Sequence, residues 1–192
     1  MGRRTVVLFI LVLVVLGIHL GCSRPPEGSP DWYFNQAYDL ANQGLHEEAV
    51  EEYTKVIDGN PTNSIEIQTY INRAAAYASL KHWEEAISDS TKAIELDPER
   101  TLAYMNRAMA YNAIEEYDLA IADCNMALDI DPEQTFAYFY RGLAHGGLGL
   151  IEEAIGDFED FVRLTDSPAW VERASQEIQS LLEQESVTEE TD

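Results

Sequence analysis

The side chains best suited to chemistry are few and scattered. His19, His46, His82 and His145 stand far apart, and no two have the close spacing with which one helix face holds a zinc ion. The acidic pieces "DIDPEQ" (129–134) and "DFEDF" (157–161) lack the loop pattern and the glycine of a dedicated calcium site. No glycine-rich phosphate loop follows a strand pattern, and no strand pattern is present. The expectation is therefore no enzyme, no metal and no cofactor. Charge narrows the partners as well. The 35 acidic residues outnumber the 12 basic ones, a formal net charge of -23. Binding a phosphate backbone relies on Lys and Arg to release counterions, so nucleic acid is not an expected partner.

The two cysteines, Cys22 and Cys124, sit in unlike surroundings. Arg3 and Arg4 precede an apolar run from Thr5 to Leu20, and Gly21 and Cys22 follow, which is the anatomy of a secretory signal. A membrane-spanning helix needs about 20 apolar residues, and this run is shorter. Leu20-Gly21-Cys22 resembles the lipobox of bacterial lipoproteins, with His19 standing where that family usually has an aliphatic residue. The resemblance implies that Cys22 becomes the acylated (palmitate-bearing) first residue of the mature chain. It places the protein in the bacterial cell envelope, lipid-anchored to a membrane and facing periplasm or exterior, at the outer membrane where the host has two. The alternative is a structural or self-associating membrane protein retained by an uncleaved signal anchor. Residues 22–29, rich in Pro, Gly and Ser, read as a flexible linker.

Beyond Pro30 the chain repeats itself. "YINRAAAYASLKHWEEAISDSTKAIELDP" from Tyr70 aligns without a gap on "YMNRAMAYNAIEEYDLAIADCNMALDIDP" from Tyr104, an offset of 34 residues. An aromatic recurs at Tyr33, Tyr70, Tyr104 and Tyr138, and a small residue at Ala37, Ala74, Ala108 and Gly142. Ala49, Ala86, Ala120 and Ala154 recur in the second half of each unit, and Pro61, Pro98 and Pro132 end the first three. Three extra residues near Ser64-Ile65-Glu66 predict an added helical turn. Each unit reads as two helices: Ala86, Ile87, Ser90, Ala93 and Ile94 share one face, with most acids opposite. Cys124 falls in the column of Tyr53, Ser90 and Phe158, so it reads as a small buried hydrophobe. His145, in the Tyr77 and Tyr111 column, reads as a core histidine. The fourth unit departs most, with Asp166 in the proline column and a loose "HGGLG" at 145–149 that predicts a strained or mobile helix end.

The period, the helix pair and this residue set resemble the tetratricopeptide repeat (TPR) family. The fold that follows is all-α: an α-solenoid of four helix pairs at 30–63, 64–100, 101–134 and 135–166. A terminal array face needs cover. Residues 167–184 supply a capping helix whose stripe is Trp170, Ala174, Ile178, Leu181 and Leu182, and 185–192 form an acidic tail read as disordered. Such arrays hold a peptide or a partner helix on the wall made by their first helices. The family's groove columns carry over to Phe34, Ile71, Met105 and Phe139, and to Tyr38, Ala75, Met109 and Leu143. These side chains either line a groove for a protein or peptide partner or pack helix to helix. The Lys and Asn with which part of the family grips a terminal carboxylate are missing from those columns, so chaperone-tail binding is not expected. Arg73, Arg107 and Arg141 recur beside Asn72 and Asn106; pairing with acids of the adjoining helix is the expected use, a ligand clamp the other. The sequence leaves the oligomeric state open.

Overall fold

The computed structural model describes residues 24–189. The signal segment 1–21, Cys22 and the last residues of the acidic tail lie outside the described residues. Nine α-helices and no strands occur among those described. They are α1 (Pro30–Asn42), α2 (His46–Asp58), α3 (Asn63–Ser79), α4 (Trp83–Leu96), α5 (Thr101–Ala113), α6 (Tyr117–Ile130), α7 (Thr135–Gly147), α8 (Ile151–Leu164) and α9 (Pro168–Glu189). None is long and apolar enough to cross a membrane.

The helices pair in chain order, and the second of each pair packs against the first of the next. The first helices α1, α3, α5 and α7 also neighbour one another and form a continuous wall. Small residues permit this approach. Ala37, Ala74 and Ala108 are fully buried, as are the four mid-unit alanines Ala49, Ala86, Ala120 and Ala154. In the fourth pair the small column falls to Gly142, where a Cβ would lie 3.0 Å from the Phe158 ring. The extra residues Ser64-Ile65-Glu66 lie in the first turn of α3 and give it 17 residues against 13 in α5 and α7.

The turn inside each pair is the same four times over. One residue takes positive φ: Gly44 (79°), Lys81 (61°), Glu115 (65°) and Gly149 (76°). The N–H after it reaches back to close the helix, with Leu45 to Leu40, His82 to Tyr77, Glu116 to Tyr111 and Leu150 to His145, each 2.9–3.0 Å from the carbonyl. "HGGLG" is thus a regular helix end with glycine at the left-handed position. Gly147 has its own reason, since a Cβ there would enter the Tyr117 ring.

Between pairs, Asp97 and Asp131 leave helical geometry ahead of proline, and their carboxylates accept the N–H of Glu99 (3.1 Å) and Glu133 (3.0 Å). The "DIDPEQ" acid is therefore a turn cap. In α9, Pro168 opens the helix and the Ser167 carbonyl accepts its first N–H groups. Trp170 lies against Phe136, Phe139 and Phe161, with ring centroids 5.0, 5.2 and 6.2 Å away, and Ala174 and Leu181 are buried. Leu182 is not part of that stripe, being 49% exposed. The helix also continues past Gln184 to Glu189, with no Gly or Pro to stop it, so the segment expected to be disordered begins as helix.

Candidate functional site

The recurring arginines come first, because they are the most elaborate polar feature. Arg73 lies between the rings of Tyr70 and Tyr77, its carbon 5.7 and 5.8 Å from their centroids. Its Nε and Nη2 donate to the two carboxylate oxygens of Asp89 at 2.7 and 2.8 Å, and Nη1 donates to Thr54 Oγ1 at 2.8 Å. Three helices, α2, α3 and α4, thus meet at one guanidinium. Arg107 repeats the arrangement with Tyr104, Tyr111, Asp123 and Thr91. Arg141 repeats it with Tyr138, Asp157 and Asn125, and His145, in place of the second tyrosine, approaches Asp157 through Nδ1 at 2.9 Å. Burial pushes the Asp89 carboxyl above its ordinary value against the pull of Arg73. The Asp123 and Asp157 carboxylates, in turn, hold Arg107 and Arg141 more firmly protonated. The arginine column is a clamp between helices, with its donors already engaged, and Asp157 of "DFEDF" serves it.

The groove columns divide. In the first row, Ile71, Met105 and Phe139 are only 4%, 5% and 3% exposed; they pack helix to helix and offer no surface. Phe139 meets Trp170 of the capping helix edge to face, and half-buried Phe34 meets Tyr53 at 6.0 Å. In the second row, Leu143 packs into the core beneath α9 and Met109 sits beside Ala110, its sulfur accepting from Tyr140 Oη at 3.2 Å. Tyr38, 51% exposed, is the open one.

Tyr38 borders a cleft of about 240 Å³ in the wall between α1 and α3, shared with Asn72, Ala75 and Ser79 of α3 and with His46 and Tyr53 of α2. Among the described residues Nδ1 of His46 is buried without a hydrogen-bond partner, and the hydroxyl of fully buried Tyr53 has the Asn72 side chain beside it. Asn72 Oδ1 is engaged by Gln68 Nε2 at 3.0 Å. Burial pushes the Tyr53 phenol up to about 12, with nearby Asn72 pulling the other way, so the hydroxyl remains a neutral donor. The arrangement can accept an apolar side chain and hydrogen-bond a peptide group. Sequence columns missed His46 and Tyr53, because both come from α2, the second helix of its pair.

The remaining candidates have structural places. Cys124 is fully buried and burial pushes its thiol up to about 12. His82 ends the turn before α4 and lies 6.1 Å from the Tyr77 ring. Among the described residues, no group of three or more His, Cys, Asp or Glu is placed to hold a metal ion.

Comparison with known proteins agrees with this geometry. Residues 67–100 and 101–134 each match a tetratricopeptide repeat family model. The mitochondrial import receptor subunit TOM70 of Homo sapiens is 39% identical over 67 residues, 34% of this chain and 11% of its own length. The small glutamine-rich tetratricopeptide repeat-containing protein 2 of Saccharomyces cerevisiae is 41% identical over 70 residues, 33% of this chain and 19% of its length. The match thus spans less than a fifth of these relatives. Among solved structures, the MamA protein shares the fold across 84% of this chain and 85% of its own, with 24% identity and a TM-score of 0.69. The first TPR of Spaghetti (RPAP3), bound to the HSP90 peptide SRMEEVD, covers 63% of this chain and 94% of its own, with 27% identity and a TM-score of 0.58. Residues 67–134 are two tetratricopeptide repeats at the centre of an all-helical tetratricopeptide-type solenoid.

Proposed function

We propose that the chain is an adaptor whose cleft between α1 and α3 holds an extended peptide or a partner helix. The carrying observation is the cleft itself, about 240 Å³, edged by exposed Tyr38 and by Ala75 and lined also by His46, whose buried Nδ1 has no hydrogen-bond partner among the described residues. A buried polar group without a partner costs free energy, and a peptide group seated there relieves that cost. Peptide binding by a TPR domain 27% identical to this chain supports the reading. The occupant differs from a chaperone tail: the carboxylate-gripping lysines are missing from the groove columns, and a chain of net charge -23 repels an acidic one.

The N-terminal segment completes the proposal. Acylated Cys22 fixes the array to a membrane of the cell envelope, with residues 23–29 as the tether, so that the adaptor serves an envelope assembly. Stable anchoring takes at least two acyl chains. Two experiments test the two halves. Crosslinking of the native protein should lose its partners with Tyr38→Glu or Ala75→Glu, and unchanged partners would overturn the cleft. Cys22→Ala should release the protein from membranes, and the intact mass should begin at acylated Cys22; a mass retaining Met1 indicates the uncleaved anchor instead.

A further inference from the structure

The arginine clamp is built three times in this chain, and at the first repeat its socket stands without an arginine. Tyr33 occupies the column of Tyr70, Tyr104 and Tyr138, and Glu52 that of Asp89, Asp123 and Asp157. Gln36 replaces the arginine and Leu40 the second ring. Between them lies a notch of about 310 Å³ edged by Trp32, Tyr33, Gln36, Leu40, Glu52 and Lys55. The Trp32 and Tyr33 rings meet edge to face at 5.1 Å.

The notch already draws a cation. Lys55 pairs with Glu52 and its Nζ lies 5.6 Å over the Tyr33 ring, whereas Lys92, its counterpart in the second repeat, turns to Glu95. Lys55 is a weak occupant. It is 49% exposed, its pair spans one helical turn, and an ammonium cannot lie flat on a ring while meeting both oxygens of a carboxylate. A guanidinium can do both, as it does at Arg73, Arg107 and Arg141.

We propose that the notch of Trp32, Tyr33, Gln36 and Glu52 binds the guanidinium of an arginine carried by a basic segment of a partner protein. The fit has three grounds: the same columns ligate a guanidinium three times in this chain, the Glu52 carboxylate is only partly engaged by Lys55, and net charge -23 favours a basic partner. The proposal does not depend on the cleft between α1 and α3.

The test titrates the full chain with acetyl-arginine amide, acetyl-lysine amide and acetyl-citrulline amide, read by NMR at the Trp32 indole and the Gln36 side-chain amide. The arginine probe alone should give saturable shifts. Glu52→Gln should weaken binding about tenfold. Gln36→Arg, which builds the guanidinium in from within, should abolish it, and Tyr38→Glu should leave it unchanged. Equal shifts with the lysine probe, binding that survives Gln36→Arg, or no shifts with any probe would overturn the proposal. Shifts that emerge only in Arg24→Ala would place the chain's own Arg24 in the notch and overturn the partner.

Discussion

The first helix pair and the inner ones obey one sequence pattern and use it differently. In the second and third pairs an arginine is flanked by two tyrosines, doubly bonded to an aspartate and tied to a threonine of the preceding pair. Among the described residues no helix pair precedes the first, and there the arginine becomes Gln36, the aspartate Glu52 and one tyrosine Leu40. Its carboxylate is left to a solvated Lys55, and exposed Tyr38 edges an open cleft on another side. A column that glues helices inside the array is left to a solvated lysine in the first pair, because no arginine there draws the carboxylate into a contact between helices.

The sharpest way to break this contrast is to remove the carboxylate from each pair. Asp123→Ala strands a guanidinium whose side chain is 18% exposed and should cost about 3 kcal/mol. Glu52→Ala, which breaks a solvated pair with Lys55, should cost far less. Urea unfolding followed by circular dichroism measures both, and equal losses would erase the distinction.

High pH compares the two kinds of pair through one column. Tyr53 and Cys124 are both pushed up by burial to about 12, from ordinary values of 10.0 and 9.0. The fold favours their neutral forms, so the stability they lend is complete below about pH 9 and is lost as the pH rises from there through 12. The slope is about 1.4 kcal/mol per pH unit for each group once it ionises in the unfolded chain. Cys124→Ala should flatten the fall from pH 9, and Tyr53→Phe only from about pH 10.

Ser90 stands in that column too, fully buried with its hydroxyl unpartnered. Unlike Tyr53, it does not border the cleft between α1 and α3. Ser90→Ala should therefore raise stability by about 1 kcal/mol in thermal melts, and a loss would show that the hydroxyl is satisfied. The smallest effect belongs to the turns. Glu115 holds positive φ where the first pair has Gly44, so Glu115→Gly should stabilise by about 0.5 kcal/mol, while Gly44→Glu should destabilise.

Much of this was legible in the chain itself. The offset of 34, the buried small columns and the Asp-Pro stops fixed helix pairs and their order, because each constrains backbone geometry within a few residues. The arginine–aspartate pairing was readable from its recurrence. The groove was not. Column position left open whether Ile71, Met105 and Phe139 line a groove or pack helix to helix, and packing among neighbouring pairs and α9 buries them. Nor could columns show that Leu182 faces away from the array, or that the fourth turn is regular despite its three glycines.

The sequence by itself determined an all-helical repeat array, its acidic charge, and the burial of Cys124, since periodicity and side-chain volume are properties of the chain. Only the tertiary structure decided which polar groups go unclaimed. Whether Tyr53, His46 and Glu52 face a partner, water or another helix depends on how closely successive helix pairs approach, and that distance is set by packing among residues far apart in sequence.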